Sequence, residues 1–239
     1  MEVRFKDYII QTDLPDSLGG KQCVINTINP HSYCVAEEDS DFKRALTTSD
    51  LLLPDGVGIV WAVRLMYGIK IKKVAGYDLH LHLLELLNQG RGKVFYLGSK
   101  DETLDKIRIR LEKEYPNIEF HSYSPPFKPT LEEQDNVHIR KTIAEVEPDV
   151  LFVGMTAPKQ EKWVLQNKDL IDVNIICSIG AVFDFYAGTI KRPSKLWIDM
   201  GLEWLPRLLI EPKRLWKRTF ISSPKFVMHL INSRYSASS

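Results

Sequence analysis

Cysteine is scarce in this 239-residue chain: Cys23, Cys34 and Cys177 are odd in number and form no C-x-x-C pair. That argues against a disulfide framework and points to a reduced, cytoplasmic setting. No Cys/His cluster has ligand spacing, so zinc is not expected. Long hydrophobic runs are also missing. The most apolar stretch, residues 51–63, is broken by Pro54 and Asp55 and is too short to cross a bilayer. The opening MEVRFKDYII lacks an apolar h-region, so no secretory signal is expected. Neither G-x-G-x-x-G nor G-x-x-x-x-G-K-[ST] occurs, which disfavours a standard dinucleotide site and a nucleotide triphosphatase. The six histidines make no triad or metal pair; His80 and His82, two apart, would point to different faces of a helix. There is no internal repeat and no low-complexity segment.

The composition that remains is ordinary for a globular chain, 44% hydrophobic and 26% charged. Its charge is unevenly placed. Residues 191–239 hold ten Lys/Arg against three Asp/Glu, whereas residues 1–190 hold 22 against 28. Three of the five tryptophans, Trp197, Trp204 and Trp216, share the basic segment. A basic, aromatic appendage on an acidic body suits an anionic surface: membrane, nucleic acid or pyrophosphate. The plain alternative is a solvated helical tail. Lys213 with Lys217, and Arg214 with Arg218, are spaced to form a basic stripe beside Leu215, Trp216 and Phe220, as in helices that lie in a lipid interface. Such a tail could equally dock on the body through Glu203 and Glu211. The composition shift near 188–193 divides a body, 1–190, from an appendage, 191–239, which Pro206 and Pro212 would cut into short helices.

Apolar runs at 23–27, 51–53, 94–97, 150–153 and 175–177 alternate with helical patterns near 31–47, 58–67, 78–89, 101–115, 131–147 and 158–168. This spacing predicts an α/β fold: a Rossmann-like, mainly parallel sheet with helices on both faces, followed by the helical appendage. Asp101 is a candidate cap for one helix, and Pro158 fits the first turn of another.

In such sheets ligands bind beyond the carboxyl ends of strands. Four polar or glycine-bearing segments fall there: Thr27 to Pro30, Pro54-Asp55-Gly56, Tyr96 to Ser99, and Gly154 to Gln160. Asp55 is the candidate acid or base, a carboxylate delivered between Pro and Gly at a strand end. The competing reading makes it an N-cap for the helix beginning near Val57. Gly98-Ser99 could offer backbone N–H groups to phosphate. Asp39-Ser40-Asp41 matches a D-x-D metal string, but its acidic helical setting reads as a solvated face, so no metal is expected.

Taken in order, several strings resemble the WecG/TagA/CpsF glycosyltransferases. They are Thr27-Ile28-Asn29, Leu53-Pro54-Asp55-Gly56-Val57-Gly58, Val74-Ala75-Gly76-Tyr77-Asp78-Leu79, Val153 through Glu161, Ser178-Ile179-Gly180-Ala181 with Phe183-Asp184, Ala187-Gly188, Gly201-Leu202-Glu203-Trp204 and Glu211 through Arg218. The resemblance implies transfer of a sugar from a UDP donor to a saccharide on a polyprenyl diphosphate, in bacterial cell-surface polysaccharide assembly. It implies inversion, no metal and no cofactor beyond the UDP-sugar. It makes Asp55 the general base, with Thr27 in the catalytic set. Asn29, Lys73, Gly98, Ser99, Gly154, Gln160 and Asp184 are the substrate-binding candidates. Arg207, Arg214, Arg218 and Trp216 would meet the lipid diphosphate or the inner face of the cytoplasmic membrane. Lys73 stands where the family usually has Arg, which keeps the charge and loses the bidentate fork. The partners implied are the UDP-sugar, the lipid-linked acceptor and the membrane surface, with no nucleic acid; a second copy of the chain is a further candidate. N-acetylmannosamine, its uronic acid and glucuronic acid all remain open as the sugar. Two other classes compete: a nucleotide-cofactor oxidoreductase and a non-enzymatic protein that binds anionic surfaces.

Overall fold

The computed structural model describes residues 1–194, 197, 202, 204–210 and 212–236, the side chains of 207, 210, 213, 214 and 233–236 excepted. An antiparallel hairpin, β1 (Glu2–Phe5) and β2 (Tyr8–Gln11), precedes a six-stranded parallel sheet. The sheet is built from β3 (Cys23–Ile28), β4 (Leu51–Pro54), β5 (Lys93–Gly98), β6 (Glu119–Tyr123), β7 (Val150–Gly154) and β8 (Ile175–Ser178), in the order β4-β3-β8-β7-β5-β6. The connecting helices are α1 (Pro30–Ala36), α2 (Ser40–Thr47), α3 (Val57–Tyr67), α4 (Gly76–Gly90), α5 (Asp101–Glu114), α6 (Glu133–Val146), α7 (Lys159–Asn167) and α8 (Ala181–Tyr186). The tail adds α9 (Trp204–Ile210), α10 (Pro212–Trp216), a π-helical turn (Lys217–Ser222) and α11 (Ser223–Ser236).

Alternation along the strands explains the layers. Val150 and Phe152 of β7 join Val94 and Tyr96 of β5 in one core, covered by α4, α5 and α8. Leu151 and Val153 join Phe95 and Leu97 on the other face, with Ile139 and Ile143 of α6 and Trp163 of α7. A third core gathers the hairpin, α1, α2, α3 and the tail residues Phe226 and Leu230. There the Phe226 ring lies 5.2 Å from that of Tyr33 and 6.4 Å from that of Phe5. The tail therefore shares buried apolar surface with the body.

The α/β, mainly parallel reading is what the structure has, with several local corrections. The pattern at 31–47 is two helices, because Asp39 accepts the Phe42 N–H and starts α2 afresh. Asp101 lies inside the first turn of α5, whose N-cap is Lys100. Pro158 is the N-cap of α7, one position before the first turn. Pro206 does not divide the tail: it lies in the first turn of α9, where a missing N–H breaks no helical hydrogen bond. Pro212 does open a new helix. In the expected basic stripe, residues 217–222 are π-helical, and the side chains of Lys213 and Arg214 lie outside the described residues. No helix among the described residues is long and apolar enough to cross a membrane.

Candidate active site

The carboxyl ends of β3, β4 and β8 open into one cleft. It is lined by Thr27, Asn29, Asp55, Gln160, Asp184 and Arg218, with Glu161, Ser178, Gly180, Tyr77 and Arg192 among the other walls. These strands neighbour one another although they are distant in sequence, and the chain leaves β3 toward one edge and reaches β8 from the other. That reversal in strand order is where open α/β sheets form ligand crevices.

Asp55 is carried there by backbone geometry. Its N–H donates to Ile28 O at 2.9 Å, continuing the ladder one step past β4. Gly56 then turns at φ 99°, a left-handed value that a side chain resists, and serves as the N-cap of α3. The capping alternative for Asp55 is thereby displaced: the cap position belongs to Gly56, with no side-chain capping bond. Gly58 is needed for a different reason. A Cβ there would sit 2.4 Å from the Pro30 ring, so its absence lets α3 close on the first turn of α1.

Asn29 caps α1: its Oδ1 accepts the N–H groups of His31 and Ser32, each at 3.0 Å. The side-chain NH2 is the group left for a ligand. Gln160 is 5% exposed and braced at both ends. Its Oε1 accepts the Gly180 N–H at 3.2 Å, and its Nε2 donates to Glu161 Oε1 at 2.9 Å. Glu161 is 4% exposed, and burial pushes its carboxyl up to about 7, against the pull of the Gln160 hydrogen bond and of Arg218. Glu161 Oε2 and the buried Ser178 Oγ have no hydrogen-bond partner among the described residues. Two orphaned polar atoms on one wall mark a place where a polar ligand would be held.

The cations enter from the body–tail boundary and from the tail. Arg192 donates to Asp78 Oδ1 at 3.1 Å and stacks over Tyr77 at 4.3 Å. Arg218 comes from the π-helical turn, which is fastened to the body by Ser222. The Ser222 hydroxyl lies 2.8 Å from His31 Nδ1, and its carbonyl accepts from Cys34 Sγ at 3.3 Å. Burial, reinforced by Arg218 and Lys217, lowers His31 to about 4, so near neutrality it adds no charge beside those cations. Lys225 pairs with Glu38, and Lys6 Nζ donates to His229 O at 3.3 Å. The docking contacts thus use Glu38 on the body; Glu203 and Glu211 lie outside the described residues.

Other sequence candidates lie elsewhere. Lys73, Gly98, Ser99 and Gly154 do not line the cleft. A Cβ on Gly98 would fall 2.5 Å from Gly154 O, and one on Gly154 would fall 2.7 Å from the Phe183 ring, so both glycines are filled around by protein. Ser99 O accepts the Ser124 hydroxyl at 2.8 Å. The side chains of Arg207 and Arg214 lie outside the described residues. Trp216 is exposed, its ring 4.3 Å from that of Phe220. In the D-x-D string, Asp39 pairs with Lys162 at 2.5 Å and Asp41 with Arg44 at 3.3 Å. No group of three or more His, Cys, Asp or Glu that could hold a metal occurs among the described residues. Glu161 and Ser178 lie in strings that carry the family resemblance but had no role assigned from sequence, and Arg192 lies in none of those strings. The basic step Lys191-Arg192 at the composition boundary was the one available signal for Arg192.

Comparison with known proteins gives a consistent pattern. The model of the family described as "Glycosyl transferase WecG/TagA/CpsF family" matches residues 10–239. A Bacillus subtilis (strain 168) protein named N-acetylglucosaminyldiphosphoundecaprenol N-acetyl-beta-D-mannosaminyltransferase is 32% identical over 227 residues, covering 95% of this chain and 85% of its own. A protein of the same name from Bacillus spizizenii (strain W23) is 31% identical, covering 87% and 78%. One from Staphylococcus aureus (strain NCTC 8325) is 28% identical, covering 80% and 73%.

Proposed function

The chain belongs to the WecG/TagA/CpsF glycosyltransferase family, and we propose that it transfers N-acetylmannosamine from a UDP donor to N-acetylglucosamine on undecaprenyl diphosphate. The acceptor and sugar follow the names of relatives 28–32% identical to it. The observation that carries the reading is the cleft, where the Asp55 carboxylate shares walls with Arg192, Arg218 and the orphaned Ser178 and Glu161 atoms.

The chemistry is a single displacement. Asp55 takes the proton of the acceptor hydroxyl as its oxygen attacks the anomeric carbon. The new carbon–oxygen bond forms on the face opposite the breaking bond to UDP, so configuration inverts. UDP departs as an anion, and Arg192 and Arg218 supply the positive charge for the oxygen that receives the bonding electrons. Thr27 and the Asn29 amide hold the reacting groups beside Asp55, and Gln160 fixes the Gly180 turn. No metal is required in this scheme because arginines carry the charge. The enzyme works as a peripheral protein at the inner face of the cytoplasmic membrane, where the tail brings the cleft to its lipid-borne acceptor.

A panel of UDP-sugars against a short-chain polyprenyl-diphosphate N-acetylglucosamine, read by mass spectrometry in the presence of chelator, tests this. The expected product carries one added N-acetylhexosamine from UDP-N-acetylmannosamine. Addition of a hexuronic acid would replace the sugar assignment. Absence of transfer from every UDP-sugar would overturn the reading.

A further inference from the structure

Helix α3 is apolar on both sides. It buries Ile59, Ala62 and Val63, yet leaves Trp61 67% and Leu65 63% exposed. Those two are four apart and share a helix face. Tyr67 and Ile69, at and just past the helix end, are exposed as well. Single exposed apolar residues are common, but a group containing an indole marks a contact surface.

The charge around this group names the contact. Residues 56–77 contain Arg64, Lys70, Lys72 and Lys73 and no Asp or Glu. Arg64, Lys70 and Lys72 are exposed. A second copy of the chain would set these cations against their own kind, which disfavours self-association through this face. An anionic bilayer complements both features, with indole and leucine at the acyl boundary and cations at head-groups.

Position agrees. Helix α3 starts two residues after Asp55, and Trp61 lies about 6 Å along the axis from Val57. Helix α11 of the tail packs against α3 and carries the exposed Val227, Met228 and Ile231. Exposed apolar residues of body and tail therefore occupy neighbouring elements.

We propose that α3 with the segment to Lys72 is a second membrane-docking surface, built into the body, which seats the cleft mouth on anionic lipid independently of the tail's own contacts. It rests on the reading that the acceptor is lipid-borne. The test uses the full chain with its tail intact, and vesicles of phosphatidylethanolamine with phosphatidylglycerol. Trp61→Ser with Leu65→Ser should weaken vesicle binding about tenfold. Lys70→Glu with Lys72→Glu should weaken it on these vesicles and leave binding to phosphatidylcholine vesicles unchanged. Both should keep the unaltered chain's rate on a short-chain, water-soluble acceptor. In the unaltered chain, vesicles should slow hydrogen exchange across 65–73, a reading that does not depend on variant folding. Unchanged vesicle affinity in both double variants, or unchanged exchange, overturns the proposal. A shift from dimer to monomer in the first variant, with vesicle affinity kept, would reassign the face to self-association. If the unaltered chain transfers no sugar to any acceptor, the catalytic reading fails while the vesicle result stands by itself.

Discussion

Two sets of strand ends in this sheet looked alike in sequence and differ in structure. At β3, β4 and β8 the chain leaves the strand through Thr27, Asp55 and Ser178, and the space beyond is open and walled by polar groups. At β5 and β7 it leaves through Gly98 and Gly154, and the place a side chain would take on each glycine is filled, by the Gly154 backbone at the first and the Phe183 ring at the second. Glycine at a strand end admits either a phosphate or a packed protein group. Only the neighbours decide which, and here Phe183 arrives from α8, far along the chain. Carboxylates and hydroxyls at strand ends are less ambiguous, since burying them without a partner costs stability.

The comparison can be broken by substitution. The largest effect is expected on the open side. Asp55→Asn should lower the transfer rate by about 10²- to 10⁴-fold with the fold retained by circular dichroism; a rate near that of the unaltered chain would remove Asp55 as the base. On the packed side, Gly154→Ala should lower folding stability by about 1–3 kcal/mol in urea denaturation, because its Cβ would meet the Phe183 ring at 2.7 Å. Affinity for the proposed UDP donor should be kept. A loss of donor affinity with no loss of stability would return Gly154 to the binding site.

A smaller, pH-dependent effect sharpens the open side. Glu161 titrates near 7 in the fold, against 4.5 for the ordinary side chain. The folded state holds this proton where the unfolded chain has released it, so stability falls as pH rises through this window and levels off above it. Glu161→Gln should remove that fall, leaving the variant more stable at pH about 8 by on the order of 1–2 kcal/mol and little changed near pH 4. His31 acts in the opposite sense: its folded value is lowered, so stability is lost as pH falls from its ordinary value toward about 4. The difference between variant and unaltered chain cancels that contribution. Equal slopes in the two proteins would show that the fold leaves the Glu161 carboxyl at its ordinary value.

What was legible in the sequence follows the same physics. Five parallel strands stood out because a sheet covered on both faces needs near-continuous apolar runs. The edge strand β6, Glu-Phe-His-Ser-Tyr, did not, since only part of it is covered. The hairpin escaped because four-residue strands carry little pattern. Thr27, Asn29, Asp55, Gln160, Asp184 and Arg218 were named from sequence and lie together on the cleft. Glu161 and Ser178 gain their character from burial, and Arg192 from Tyr77 and Asp78, which are tertiary facts.

The most direct measurement is a crystal structure of the full chain with UDP. The account predicts nucleotide density in the cleft between Asp55, Gln160 and Arg218, with a polar ligand atom reaching Ser178 Oγ or Glu161 Oε2. Density seated over the Gly98–Ser99 turn, with that cleft left to solvent, would contradict it.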